Sequence, residues 1–136
     1  MKRPVAAFSL YTSVADYGKF LVTVLNDDDV LKQITASPVP VDPSLNLSWG
    51  LGWGIERVQD NLYIWQWGNN TGYRAFVIAS VRTGDGLVML TNSENGLKLA
   101  KPLTQKVLPG EHKLFQSPVL GSGITEILCE TLRLCF

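Results

Sequence analysis

Between residues 49 and 91 the chain carries four strand-like runs joined by connections too short for a parallel crossover. Residues 49–58, 62–68, 73–81 and 87–91 are rich in aromatic and β-branched side chains, as half-buried pleated strands are. A parallel pair needs a dozen or more connecting residues. Here the links are Gln59-Asp60-Asn61, the stretch 69–72 and Arg82-Thr83-Gly84-Asp85-Gly86, all of them turn chemistry. The pattern predicts an antiparallel meander of about four strands. In its first run Trp49, Leu51, Trp53 and Ile55 share one parity, and Gly50, Gly52 and Gly54 the other. That reads as one packed face and one bare face, where another backbone or a ligand can lie close.

Helical spacing brackets the meander. Ser13 precedes an acid, Asp16, by three positions, a helix-start signature. Val14, Tyr17, Leu21, Val24 and Leu25 then repeat on one face and predict a helix over 14–26. Asp27-Asp28-Asp29 can cap a second helix over 30–35. Consecutive carboxylates do not converge on a metal without other ligands, so the acids read as a solvated cap. Pro38, Pro40 and Pro43 exclude a helix and a central strand and predict a loop. After the meander, Asn92 or Ser93 caps a predicted helix through Val107, which Pro102 should kink or split and Pro109-Gly110 should end. The expected fold is α+β: an antiparallel sheet covered on one face by the terminal helices. The other face would be bare, as if part of a larger domain were missing. Residues 1–113 form the expected domain, and 114–136 read as a linker and an apolar tail.

Composition narrows the functions. Twelve basic and twelve acidic residues cancel, leaving no electrostatic footprint for nucleic acid. Apolar residues make up 46% and tryptophans number four, which argues for a packed core. Cys129 and Cys135 match no usual zinc or redox spacing and read as free structural thiols. Met1-Lys2-Arg3 begins like a signal peptide, but the apolar stretch after it is too short, and no run approaches the length of a membrane span. The compartment stays open. No metal or organic cofactor is implied.

The stretch 63–76 carries the densest pattern. Tyr63, Trp65 and Trp67 fall on one strand face and Ile64 and Gln66 on the other, before Gly68 and the turn-forming Asn69-Asn70-Thr71-Gly72. Two readings are open: an ordinary hairpin with an outward glutamine, or a site built where a rigid strand meets an irregular loop. Trp49, Trp53, Trp65 and Trp67 would form a stacking platform for flat ligands if they shared an exposed face, with core packing as the alternative. His112 is the one histidine and reads as a surface residue, so no Ser-His-Asp triad has an obvious base.

Several segments resemble, in order and spacing, the β-lactamase-related serine hydrolases, the superfamily of class C β-lactamases, penicillin-binding D-alanyl-D-alanine peptidases and related esterases. Residues 6–21, Gly50-Leu51-Gly52-Trp53, Gly72-Tyr73-Arg74-Ala75-Phe76 and residues 86–92 carry the likeness, which extends over 5–113 and includes a C-terminal helix from Glu94. The resemblance implies the C-terminal portion of a β-lactamase/transpeptidase-like fold. It places Gln66-Trp67-Gly68 on the family's third motif, usually Lys-Thr-Gly or His-x-Gly, which helps bind substrate. It makes the backbone N–H of Asn69 a candidate oxyanion-hole donor. Gln66 departs from that motif, being uncharged and unable to act as acid or base, which favours an ester or neutral amide over an anionic substrate. The family's Ser-x-x-Lys nucleophile is absent: no serine has Lys three places on, and no tyrosine has Asn two places on. Ser93-Glu94-Asn95 fits Ser-x-Asn but in the wrong place.

The expected function is a piece of an acyl-serine hydrolase, inactive alone, whose complete parent would take a small-molecule acyl substrate. A chain supplying the missing strands and nucleophile is the partner implied. The alternative is a non-catalytic binding or interaction module that uses the aromatic face or an exposed sheet edge.

Overall fold

Ser13 starts the first helix, its Oγ accepting the Asp16 N–H at 3.1 Å and donating to the Asp16 carboxylate at 2.8 Å. This is seen in a computed structural model, which describes Val5 and residues 9–121. The expected apolar tail beyond 121, with Cys129 and Cys135, lies outside the described residues. Helix α1 spans Val14–Leu25, and α2 spans Asp28–Ala36. Asp27 accepts the Val30 N–H at 3.0 Å, so α2 starts two residues before its expected position, because the first acid of the run is the cap itself.

The sheet has six strands rather than four. They are β1 (Val39–Asp42), β2 (Leu47–Gly50), β3 (Trp53–Val58), β4 (Asn61–Asn70), β5 (Tyr73–Ser80) and β6 (Gly86–Thr91), paired antiparallel in sequence order. Two local causes account for the difference. The run 49–58 is not one strand: Leu51 and Gly52 both take positive φ, 44° and 87°, forming a tight turn whose twist suits a two-residue hairpin. A leucine there announces no turn. The proline-rich stretch forms β1 because it lies at the sheet's edge, where Pro40 has no second neighbour to serve and a bulge separates it from Asp42.

The turn also divides the glycines between faces. Gly50 pairs with Trp53, and its missing side chain lets the Ile34 carbonyl of α2 come against the strand. Gly54 pairs with Trp49 and Trp65 on the opposite face, and the Trp65 indole lies where a Cβ would be. The sequence anticipated close approach at both positions but put them on one face.

Both faces of the sheet are covered, which corrects the expectation of a bare one. On one face α1 and α2 deliver Leu21, Val24 and Ile34 onto Trp53, Ile55, Ile64, Val77 and Ala79. On the other, Tyr63, Trp65, Phe76, Ile78 and Met89 pack under Ala100, Leu108 and Leu114. The last three come from α3 (Ala100–Val107), from the residue just after it and from a 3-10 turn over Lys113–Gln116. Strand parity decides the split, because alternate residues of β4, β5 and β6 feed opposite cores. The C-terminal helix does divide near Pro102: a 3-10 turn over Gly96–Leu99 precedes α3, and Pro102 sits in the first turn of α3, where its missing N–H costs nothing. Neither Asn92 nor Ser93 caps it. Leu114 is fully buried and Phe115 packs on Phe76 with ring centres 5.6 Å apart, so the core continues past residue 113. A short helix α4, Pro118–Gly121, closes the described chain.

Candidate functional site

Residues 66–69 lie on the outer half of β4, which outruns its neighbour. The last β3 partner of β4 is Gly54, opposite Trp65, whereas pairing with β5 continues to Asn70 and Tyr73 around a two-residue Thr71-Gly72 turn. The expected irregular loop is therefore two residues long, and Asn69 and Asn70 belong to the strand. The Val81 N–H donates to the Leu62 carbonyl at 2.9 Å, which fixes the ladder's alternation. Residues 62, 64, 66, 68 and 70 turn their backbone groups to β5. Residues 65, 67 and 69 turn theirs to the β3 side, where Trp65 meets Gly54 and, for residues 67 and 69, β3 has already ended.

The four predicted site residues are brought together in different senses. Gln66, half-buried on the α1–α2 face, spends its amide inside the protein. Its Nε2 donates to the Gly52 carbonyl at 2.6 Å, and its Oε1 accepts the Trp67 N–H at 2.9 Å. The side chain braces the strained turn between β2 and β3 and caps one open-edge N–H. Trp67 points to the opposite face and packs against the C-terminal core. Gly68 leaves space, since a Cβ there would come within 3.3 Å of Ala75 Cβ. Asn69 is exposed, and its N–H looks past the β2–β3 turn into the open edge.

Gly68 also lines a groove of about 790 Å³ at the end of the sheet, with Ala75 and Leu90 as small or apolar neighbours and Tyr11 and Tyr73 at the sides. Among the described residues its only charged lining residue, Arg74, is already committed. The Arg74 guanidinium pairs with Glu94 and donates from Nη1 to the Asn70 and Tyr73 carbonyls at 2.6 and 2.9 Å. The other Glu94 oxygen accepts the Gly72 N–H at 2.6 Å, so Glu94, in the middle of the Ser93-Glu94-Asn95 stretch, clamps the hairpin tip.

The tryptophans do not form an exposed platform. Trp65 and Trp53 are buried on opposite faces, and Trp49 and Trp67 are half-covered beside Trp65, with Trp49 edge-on to it at 5.5 Å. Core packing takes all four.

Sequence reasoning missed a buried polar contact between β3 and the C-terminal segment. Glu56 of β3 is wholly buried, and its Oε2 meets His112 Nδ1 at 2.8 Å while its Oε1 accepts the Leu114 N–H at 2.9 Å. His112 Nε2 lies 3.1 Å from the Leu108 carbonyl, and the ring stands edge-on to Tyr63 at 4.7 Å. The expected surface histidine is buried because it returns α3 to the sheet. Both ring nitrogens are engaged with oxygens of the protein, so neither is free to serve a serine. Burial on its own would lower the His112 pKa. The Glu56 carboxylate, through its hydrogen bond and charge, and the Leu108 carbonyl outweigh it, and the pKa is raised above the ordinary histidine value. The available signal was a charged residue, Glu56, on an inward strand parity, together with the chain's one histidine.

Among the described residues no group of three or more His, Cys, Asp or Glu could hold a metal ion, and no helix is long and apolar enough to cross a membrane. No family model, no curated protein and no solved structure matches this chain.

Proposed function

We propose that this chain forms one wall of a serine hydrolase of the β-lactamase-related class and that it does not turn over an acyl substrate by itself. The observation that carries the reading is the Asn69 N–H, which points off the open end of β4 beside Gly68, with no strand opposite it among the described residues. A backbone donor held on a rigid strand can stabilise the charge that develops on an attacked carbonyl oxygen. Among the described residues the groove's one charged lining residue, Arg74, is already paired, which favours a neutral acyl group, an ester or an amide, over an anionic one. Gln66 contributes by fixing the turn beside that edge, not by binding substrate. The nucleophile and its activating base come from residues outside this chain, on a partner that completes the site; both ring nitrogens of His112 are already engaged with Glu56 and the Leu108 carbonyl.

Intact-mass measurement after incubation with a fluorophosphonate probe tests the absence of a nucleophile. Unchanged mass is expected. A stoichiometric phosphonyl adduct on one serine contradicts the reading, because an activated nucleophile would then reside in this chain.

A further inference from the structure

The sheet has two edges, and they are built differently. The β1 edge carries the defences that natural sheets use against pairing: Pro40, which has no N–H, and a bulge between Pro40 and Asp42. The β6 edge carries none. Its sequence, Gly-Leu-Val-Met-Leu-Thr, has no proline and no charge, and its register with β5 runs without a break. The Ser80 N–H donates to the Asp85 carbonyl at 2.9 Å, so Leu87, Met89 and Thr91 turn their backbone groups toward β5. Gly86, Val88 and Leu90 turn theirs outward, and among the described residues no strand pairs with them.

We propose that a second copy of this chain pairs with that edge, β6 against β6, joining two sheets into one. The occupant follows from symmetry and charge. An antiparallel pairing centred on Val88 sets Val88 opposite Val88 and Gly86 opposite Leu90, so the outward N–H and carbonyl groups of one copy meet those of the other around a two-fold axis. A strand without charge meets itself with no like-charge opposition. The neighbouring helix extends the same surface. Helix α1 touches β6, and its Phe20 stacks on Trp53 toward β3 at 6.3 Å. Val14 and Val22 therefore lie on the flank turned away from Trp53, toward the β6 edge, and both are exposed. The two-fold axis stands perpendicular to the sheet and keeps like faces together, so these apolar flanks of α1 face each other across it. Because the β1 edge is blocked, assembly closes at two chains and does not grow into a ribbon.

Sedimentation of the full chain tests this, with twice the 15.0 kDa chain mass expected. Val88→Pro removes an N–H that β5 does not use, so its melting transition should persist while the sedimenting mass falls to one chain. Val22→Glu, at an exposed helix position, should weaken association by about tenfold or more through like charges set across the axis. It decides the matter if the proline variant fails to fold. A wild-type chain that sediments as a single copy overturns the proposal. So does a dimer indifferent to both substitutions, or an open-ended polymer.

Discussion

Single residues carry more of this fold than their neighbours in sequence would suggest. Glu56 and His112 are fifty-six positions apart and fully sequestered, and together they hold the C-terminal segment on the sheet. Removing one partner leaves the other buried and unsatisfied, so Glu56→Ala should cost about 3–5 kcal/mol in urea unfolding. The pair also sets a pH dependence. His112 has a raised pKa in the folded chain, so its contribution is complete below the ordinary histidine value of about 6.5 and is lost as pH rises through the raised value. Unfolding measured across that range should show stability falling with rising pH, and His112→Asn should remove that slope. Thr104 makes the opposite case: its hydroxyl is buried without a hydrogen-bond partner among the described residues. Thr104→Val keeps the shape, drops the unsatisfied group and should stabilise by about 1 kcal/mol in the same assay.

Local chemistry accounts for most elements, and its failures are specific. Helix α1 was legible because Ser13, Asp16 and the apolar repeat agree with one another; Ser13→Ala should cost about 0.5–2 kcal/mol in thermal or urea unfolding. The central meander was legible from parity and turn residues. The turn at Leu51-Gly52 was not, since a leucine at positive φ, 70% exposed, follows no turn preference. Its left-handed backbone costs an ordinary residue about 1–2 kcal/mol, so Leu51→Asn should raise the melting temperature without changing the fold. Strand β1 was hidden because prolines are excluded from central strands but tolerated at an edge. In the candidate site, the strand and Gly68 could be read from order alone, whereas Asn69, whose residue type signals a turn, continues the strand. The commitment of the Gln66 amide to Gly52 could not, because it depends on a turn fourteen residues away. The Glu56–His112 contact was out of reach for the same reason: pairing across the fold leaves only a weak trace in local pattern.

At the scale of the whole molecule, the covering of both faces changes what the chain is expected to tolerate. A sheet with one bare face would depend on a missing layer, whereas here α1 and α2 seal one side and α3 with Leu114 seals the other. Leu114 and Phe115 anchor part of the C-terminal seal. A chain ended at residue 113 would lose Leu114 and its N–H to Glu56, uncovering Phe76. Such a chain should bind a hydrophobic dye and lose its sharp thermal transition. Completeness of the core does not supply chemistry, however: the hydrolase reading requires a nucleophile from elsewhere and leaves to this chain a backbone donor at an open strand end. That donor is directly observable. In a backbone-amide NMR titration with a neutral-chain phosphonate monoester, whose anionic oxygens mimic the tetrahedral acyl intermediate, the Asn69 amide should shift downfield and saturate, with smaller changes at Gly68 and Ala75. An Asn69 amide that stays in place while the ester binds elsewhere, or fails to bind, would contradict its assignment as the oxyanion donor.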